Sequence, residues 1–198
     1  MSSDTPRADQ CARPRRKPPL TLREAALFSM FGAILFGCKF FLEGIPNVHP
    51  LALFIVALTL VYRSKALYPI YVFVLLDGIR EGFAAWWIPY LYVFLPLWAV
   101  GMLMPRGQSR GLQRLETSRR RKFAMPILML ACGLQGLAFG TMMAPVMAWS
   151  MHLDFRGMLA WIVAGLSFDA MHAINNIAFG ALILPLADLL RRLEKVRF

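Results

Sequence analysis

The sequence is short of charge, and of acid above all. Only 17% of its 198 residues are charged, with 11 Asp or Glu against 22 Lys or Arg, while 58% are hydrophobic. A soluble domain of this length carries more charge and less grease, so the composition points to an integral membrane protein. Cysteine is scarce too: Cys11, Cys38 and Cys132 lie far apart, with no CxxC or Cys/His ligand spacing. That excludes a zinc site and a disulfide framework. The chain has no GxxxxGK[ST] phosphate loop and no Glu-Glu pair, and its histidines, His49, His152 and His172, are scattered. Neither a bound metal nor a cofactor is expected.

What the chain has is apolar length. Proline, glycine and charge divide it into six segments near 22–43, 50–63, 66–84, 88–105, 123–148 and 158–187. The second is short, and the third is interrupted by Asp77, Arg80 and Glu81. The segments are continuously apolar and lack the two-residue alternation of barrel strands, which predicts an all-α, polytopic bundle of six transmembrane helices. The expected organisation is a basic tail over 1–21, a membrane domain over 22–193 and a short tail over 194–198.

A formal charge of +11 raises the question of nucleic acid, but the positions of the basic residues answer it. Nineteen of the 22 fall before the first segment or at its start, in alternate connections and after the last segment; Lys39, Arg80 and Arg156 are the exceptions. By the positive-inside rule both termini are expected to be cytoplasmic, with the chain in the cell's inner (plasma) membrane. The partner that this charge suits is the lipid bilayer, not nucleic acid. The run RGQSRGLQRLETSRRRK reads as a solvated topology determinant, and the Trp and Tyr of WWIPYLY as an interfacial belt.

Ionisable and polar groups inside spans mark candidate functional positions. Lys39 and Glu43 stand four apart on the first helix, and Asp77, Arg80 and Glu81 at i, i+3 and i+4 on the third, so each set can either pair locally or contact a ligand. In SFDAMHAINN, Asp169, His172, Asn175 and Asn176 share an arc of about 120° on a helical wheel, with Phe168, Met171 and Ile174 outside it. One face of the last helix should therefore turn toward other helices or a cavity. On the first helix Ala25, Ser29, Ala33 and Gly37 recur every four residues, a stripe that admits close approach of another helix. The turn EGIPNVHP that follows holds Asn47 and His49 between two prolines, which stiffen it.

With these features the chain resembles the substrate-binding subunits, or S components, of energy-coupling factor (ECF) vitamin transporters. The likeness runs from about 22 to 195 and rests on the helix 1 stripe, the GIPNVHP turn and the final helix GLSFDAMHAINNIAFGALILPLADLL. It implies a non-enzymatic subunit that captures a vitamin or related precursor outside and delivers it through a scaffold membrane subunit and two ATPases supplied by other chains. In that family the stripe meets the scaffold, a role that would fall to Ala25, Ser29, Ala33 and Gly37; Ser29 and Gly37 stand where alanine is commoner, and both are small. The family's outward pocket would draw here on Asn47, His49, Trp86, Trp87, Tyr90, Gln135, His152, Asp169, His172 and Asn176. Aromatic rings there would stack on a flat heterocycle and amides would orient it.

Two other classes share parts of this pattern. FDAMH and HAINN match FxxxH and HxxxN, patterns found in CAAX-protease-like membrane hydrolases. Here the two share one histidine and lack the glutamate pair that would activate water. A stand-alone secondary transporter would use Asp169 and His172 as a proton relay, but no inverted repeat with paired broken helices is evident.

Overall fold

A computed structural model describes residues 20–45, 48–105 and 113–196. Residues 1–19 of the expected tail over 1–21, residues 197–198 of that over 194–198, residues 106–112 of the basic run, and Pro46 and Asn47 lie outside the described residues. The fold is all-α: α1 (Leu22–Leu42), α2 (Leu51–Tyr62), α3 (Leu67–Glu81), α4 (Leu95–Leu103), α5 (Gln113–Leu137), α6 (Phe139–Ser150), α7 (Phe155–Gly180) and α8 (Ile183–Val196). Among the described residues, five stretches are long and apolar enough to cross a membrane: Leu22–Leu42, Leu51–Glu81, Ala85–Leu103, Arg121–Ser150 and Phe155–Gly180. The expected segments 50–63 and 66–84 fall within one of these stretches, joined by a 3-10 turn over Arg63–Ala66.

The chain nevertheless reverses at that turn. α1 opens with a capping box in which Thr21 Oγ1 accepts from the Glu24 amide and Glu24 Oε2 accepts from the Thr21 amide. The other Glu24 oxygen takes Lys65 Nζ at 2.5 Å, just before α3, and Lys39 near the end of α1 meets Asp77 near the end of α3. α1 and α3 are therefore parallel, and α2 runs back between their ends. Close packing of the pair depends on Gly32, where an added Cβ would lie 2.4 Å from Val72.

α2 is the centre of the bundle, with Ile55, Val56, Ala57 and Leu58 all at 0% exposure. Its 12 residues cover about 18 Å, much less than a bilayer core of about 30 Å. It is walled by α4, α7 and α8, and the chain before it folds inward to make up the length. Arg63 closes the far end. Its guanidinium donates to the carbonyls of Gly101 (2.9 Å), Met104 (3.0 Å) and Met102, so a cation sits on the open carbonyls at the C-terminus of α4. Lys65, Arg121, which meets Asp188 at 2.6 Å, and Arg191, which donates to the Leu60 carbonyl, share this end.

Three expected helices change form. The segment 88–105 begins as a 3-10 stretch, Ala85–Leu91, because Pro89 and Pro96 restrict a continuous α-helix; Pro96 instead occupies the first turn of α4. The segment 123–148 is divided at Ala138, and the last helix is divided after Gly180. α5 and α6 pack antiparallel against α7 along a glycine seam: added Cβ atoms would meet Ile177 from Gly133, Ala173 from Gly136, and Met129 from Gly180, at 2.6–3.0 Å.

Candidate functional site

The inward-folding connection before α2 begins the site. Asn175 Nδ2 donates to the His49 carbonyl at 3.0 Å, which pins the turn to α7. The His49 ring then lies edge-on to His172, with centroids 4.8 Å apart, and His172 lies 4.8 Å from Phe139 at the start of α6. Tyr90, carried by the proline-containing 3-10 stretch, contacts Phe139, Phe94 and Trp86 edge-to-face. Four elements thus deliver rings to one place.

These rings separate two spaces. On the side of the Lys39 end is a cavity of about 140 Å³, bounded by Lys39, Leu42, Glu43 and Ile45 as well as His49, Tyr90, Phe139 and His172. On the inner side is a space of about 10 Å³ bordered by His49, His172, Gln135, Asn176 and the apolar Ala52 and Leu97. The inner space is water-sized. The outer one is smaller than the several hundred Å³ of a drug-sized ligand site, so it suits a single ring.

Charge at the mouth is organised between helices. Lys39 Nζ is 2.6 Å from both oxygens of Asp77, which is fully buried, and Glu43 meets Arg80 at 2.9 Å. Among the described residues, pairing within one helix is seen in these two sets only for Arg80 with its neighbour Glu81. The parallel register of α1 and α3 is the reason: it sets Asp77 against Lys39 across the interface, a closer partner than any cation on its own helix. Lys39 also lies 5.3 Å from the Tyr90 ring centroid and 5.8 Å from that of Trp86, so the rings share its field. Burial pushes the His49 imidazole down to about 4, with Lys39 acting in the same direction, so His49 is neutral at pH 7.

Deeper in, two amides form a chain. Gln135 Nε2 donates to the Val93 carbonyl at 3.2 Å, and Asn176 Nδ2 lies 3.3 Å from the Cys132 carbonyl and 3.4 Å from Gln135 Oε1. The wheel reading of α7 agrees with this arrangement: Asp169, His172, Asn175 and Asn176 are buried, whereas Phe168, Met171 and Ile174 are 49–64% exposed.

Of the residues singled out in sequence, the structure gathers His49, Tyr90, Gln135, His172 and Asn176, with Trp86 behind Tyr90. Trp87 turns away, donating from Nε1 to the Val74 carbonyl at 2.8 Å beside Phe83. Asp169 accepts from the Gly140 amide at 3.0 Å and so caps the start of α6 across the glycine seam; it borders neither space. His152 is exposed in the turn between α6 and α7, at φ 55°. Asn47 lies outside the described residues. Lys39, Phe139 and Phe94 were not among the expected site residues. Lys39 was findable as a cation inside an apolar helix, but Phe139 had no signal beyond being one aromatic in an apolar run.

The stripe on α1 faces away from this site. Ser29 and Ala33 are exposed, and a Cβ on Gly37 would meet nothing within 4 Å, while Ala25 is half-buried. The close contact with α3 is made by Gly32, one residue out of phase. The chain matches no family model, no curated protein and no solved structure.

Proposed function

We propose that this chain is the substrate-binding subunit of an ECF-type importer, spanning the inner (plasma) membrane six times with both termini cytoplasmic. α2 and α3 each count as a crossing because the chain reverses between them. The end holding Arg63, Lys65, Arg121 and Arg191 is the cytoplasmic one by the positive-inside rule. The cleft then opens outward, where it would capture a vitamin-like heterocycle for uptake driven by a scaffold subunit and two ATPases.

The observation that carries this reading is the convergence of His49, Tyr90, Phe139 and His172 from four elements around a cavity, with buried amides on the far side of those rings. A few placed polar groups within an aromatic wall are the usual makeup of a small-ligand site. The outward-facing small residues Ser29, Ala33 and Gly37 add a surface suited to close helix docking by another membrane subunit. The test is co-purification and uptake: the chain, expressed with candidate scaffold and ATPase subunits, should copurify with them and support ATP-dependent accumulation of the compound it retains in detergent. Transport by the chain alone, reconstituted without ATPases, would replace this reading with a secondary transporter.

A further inference from the structure

The polar atoms around the inner space are unevenly committed. Both amide groups face protein acceptors on their nitrogen side: Gln135 gives Nε2 to Val93, and Asn176 gives Nδ2 to Cys132 and Gln135. These carbonyl partners fix the orientation of Asn176, since a flipped amide would set oxygen against oxygen. Its Oδ1 is thus left as an acceptor, and it is buried without a protein partner in a residue only 2% exposed. Across the same space His49 Nδ1 is likewise buried without a protein partner, on a residue whose carbonyl takes Asn175 Nδ2 and whose ring lies edge-on to His172; with the single proton of the neutral imidazole on Nε2, Nδ1 is a second acceptor. Among the described residues no Lys or Arg borders the inner space. At the mouth, Lys39 and Arg80 are outnumbered by Asp77, Glu43 and Glu81, with Lys39 paired to Asp77 and Arg80 to both glutamates.

Building on the proposed substrate-binding role, we infer that the ligand is a single-ring nitrogen heterocycle, neutral or cationic, that enters with an edge of N–H donors directed at Asn176 Oδ1 and His49 Nδ1. A carboxylate or phosphate at the buried end would place its oxygens against these acceptors, with no cation to offset the repulsion. A ring edge bearing donors satisfies both atoms. The ring itself fits between Tyr90, Phe139 and His172. Reaching the inner acceptors requires the His49, His172 and Phe139 rings to part, since they border the outer and inner spaces alike.

The test is binding of a matched panel to the full chain in detergent, by calorimetry and thermal shift. The panel contains single-ring aminopyrimidines and cyclic ureas, their fully N-methylated counterparts, and the same rings bearing a carboxylate. Donor-bearing rings should bind at least tenfold more tightly than either counterpart. His49→Phe keeps an aromatic ring against His172 but removes the acceptor; it should weaken those probes at least tenfold while leaving the melting temperature of the free protein unchanged or raised. A merely structural His49 would lower that temperature and leave the affinity ratio between donor and N-methylated probes unaltered, overturning the inference. Mass spectrometry of compound extracted from the purified protein separates this inference from the reading it rests on. A donor-edged heterocycle supports both, and an anionic or donorless compound overturns only the inference. Absence of both a retained compound and any probe binding counts against both.

Discussion

Lys39 Nζ stands 2.6 Å from each carboxylate oxygen of Asp77, so a single ammonium on α1 neutralises a fully buried acid on α3. The pair fixes the register of two parallel helices at the level of the cleft. It also places the lysine beside Trp86 and Tyr90.

Breaking one side of this pair should harm folding more than removing both. Lys39→Met leaves Asp77 buried without its cation and is expected to cost about 3–5 kcal/mol, as is typical when one partner of a buried ion pair is lost. The double variant Lys39→Met with Asp77→Leu should recover much of that loss. Unfolding in detergent, read as a double-mutant cycle, measures the coupling.

The Arg63 clamp depends on a planar fork reaching three carbonyls. Lysine has the charge without the fork, so Arg63→Lys should lose about 1–3 kcal/mol through carbonyls left unsatisfied. Ligand affinity should be unchanged, because the clamp lies at the opposite end from the cleft.

At the α6–α7 seam, a methyl group on Gly140 would approach Asp169 Oδ2 to 2.5 Å. Gly140→Ala is expected to destabilise by about 1–3 kcal/mol through overpacking. Asp169→Asn, which retains an acceptor for the Gly140 amide, should be tolerated in both stability and probe binding. A selective loss of binding in Asp169→Asn would return this residue from a helix-capping role to a ligand contact.

His49 sets a pH dependence. Its folded-state value is about 4 against an ordinary 6.5, so between these limits the unfolded chain binds more protons than the folded one. Stability is therefore complete above about pH 6.5, falls as the pH drops toward 4, and levels off for this group below that. Melting temperatures across this range should show the decline in the parent protein and a shallower one in His49→Phe.

The exposed small residues of α1 give a separate expectation. Ser29→Leu and Ala33→Trp should leave melting temperature and probe affinity within error of the parent, since both side chains face outward. Recovery of the scaffold and ATPase subunits in a pull-down should fall at least tenfold. Unchanged recovery would move the docking surface elsewhere on the chain.

Much of the architecture was legible because apolar length and helical period are local properties. The long apolar runs gave helices, and the 3.6-residue period separated the polar face of α7 from Phe168, Met171 and Ile174. Local pattern was less informative about continuity. Pro89 and Pro96 lie inside the expected 88–105 segment, where the structure breaks the helix, and no residue marked how the break after Leu137 would be capped, because the cap comes from Asp169 on another helix. The same limit applied to charge. Sequence spacing offered Lys39 to Glu43, whereas the structure gives Lys39 to Asp77, a choice that depends on the parallel packing of α1 and α3.

The sequence by itself determined the helical class, the apolar segments, the polar face of α7 and the small-residue stripe of α1, since each follows from the order of side chains along one helix. Only the tertiary structure decided that His49 and Asn175 lock together, that Trp87 and Asp169 turn to structural partners, and that Phe139 joins the site. Those outcomes depend on distances between segments up to 126 positions apart. The physical reason is that a side chain's periodicity tells which face it occupies, while the neighbour it meets is set by helix direction, register and depth of packing.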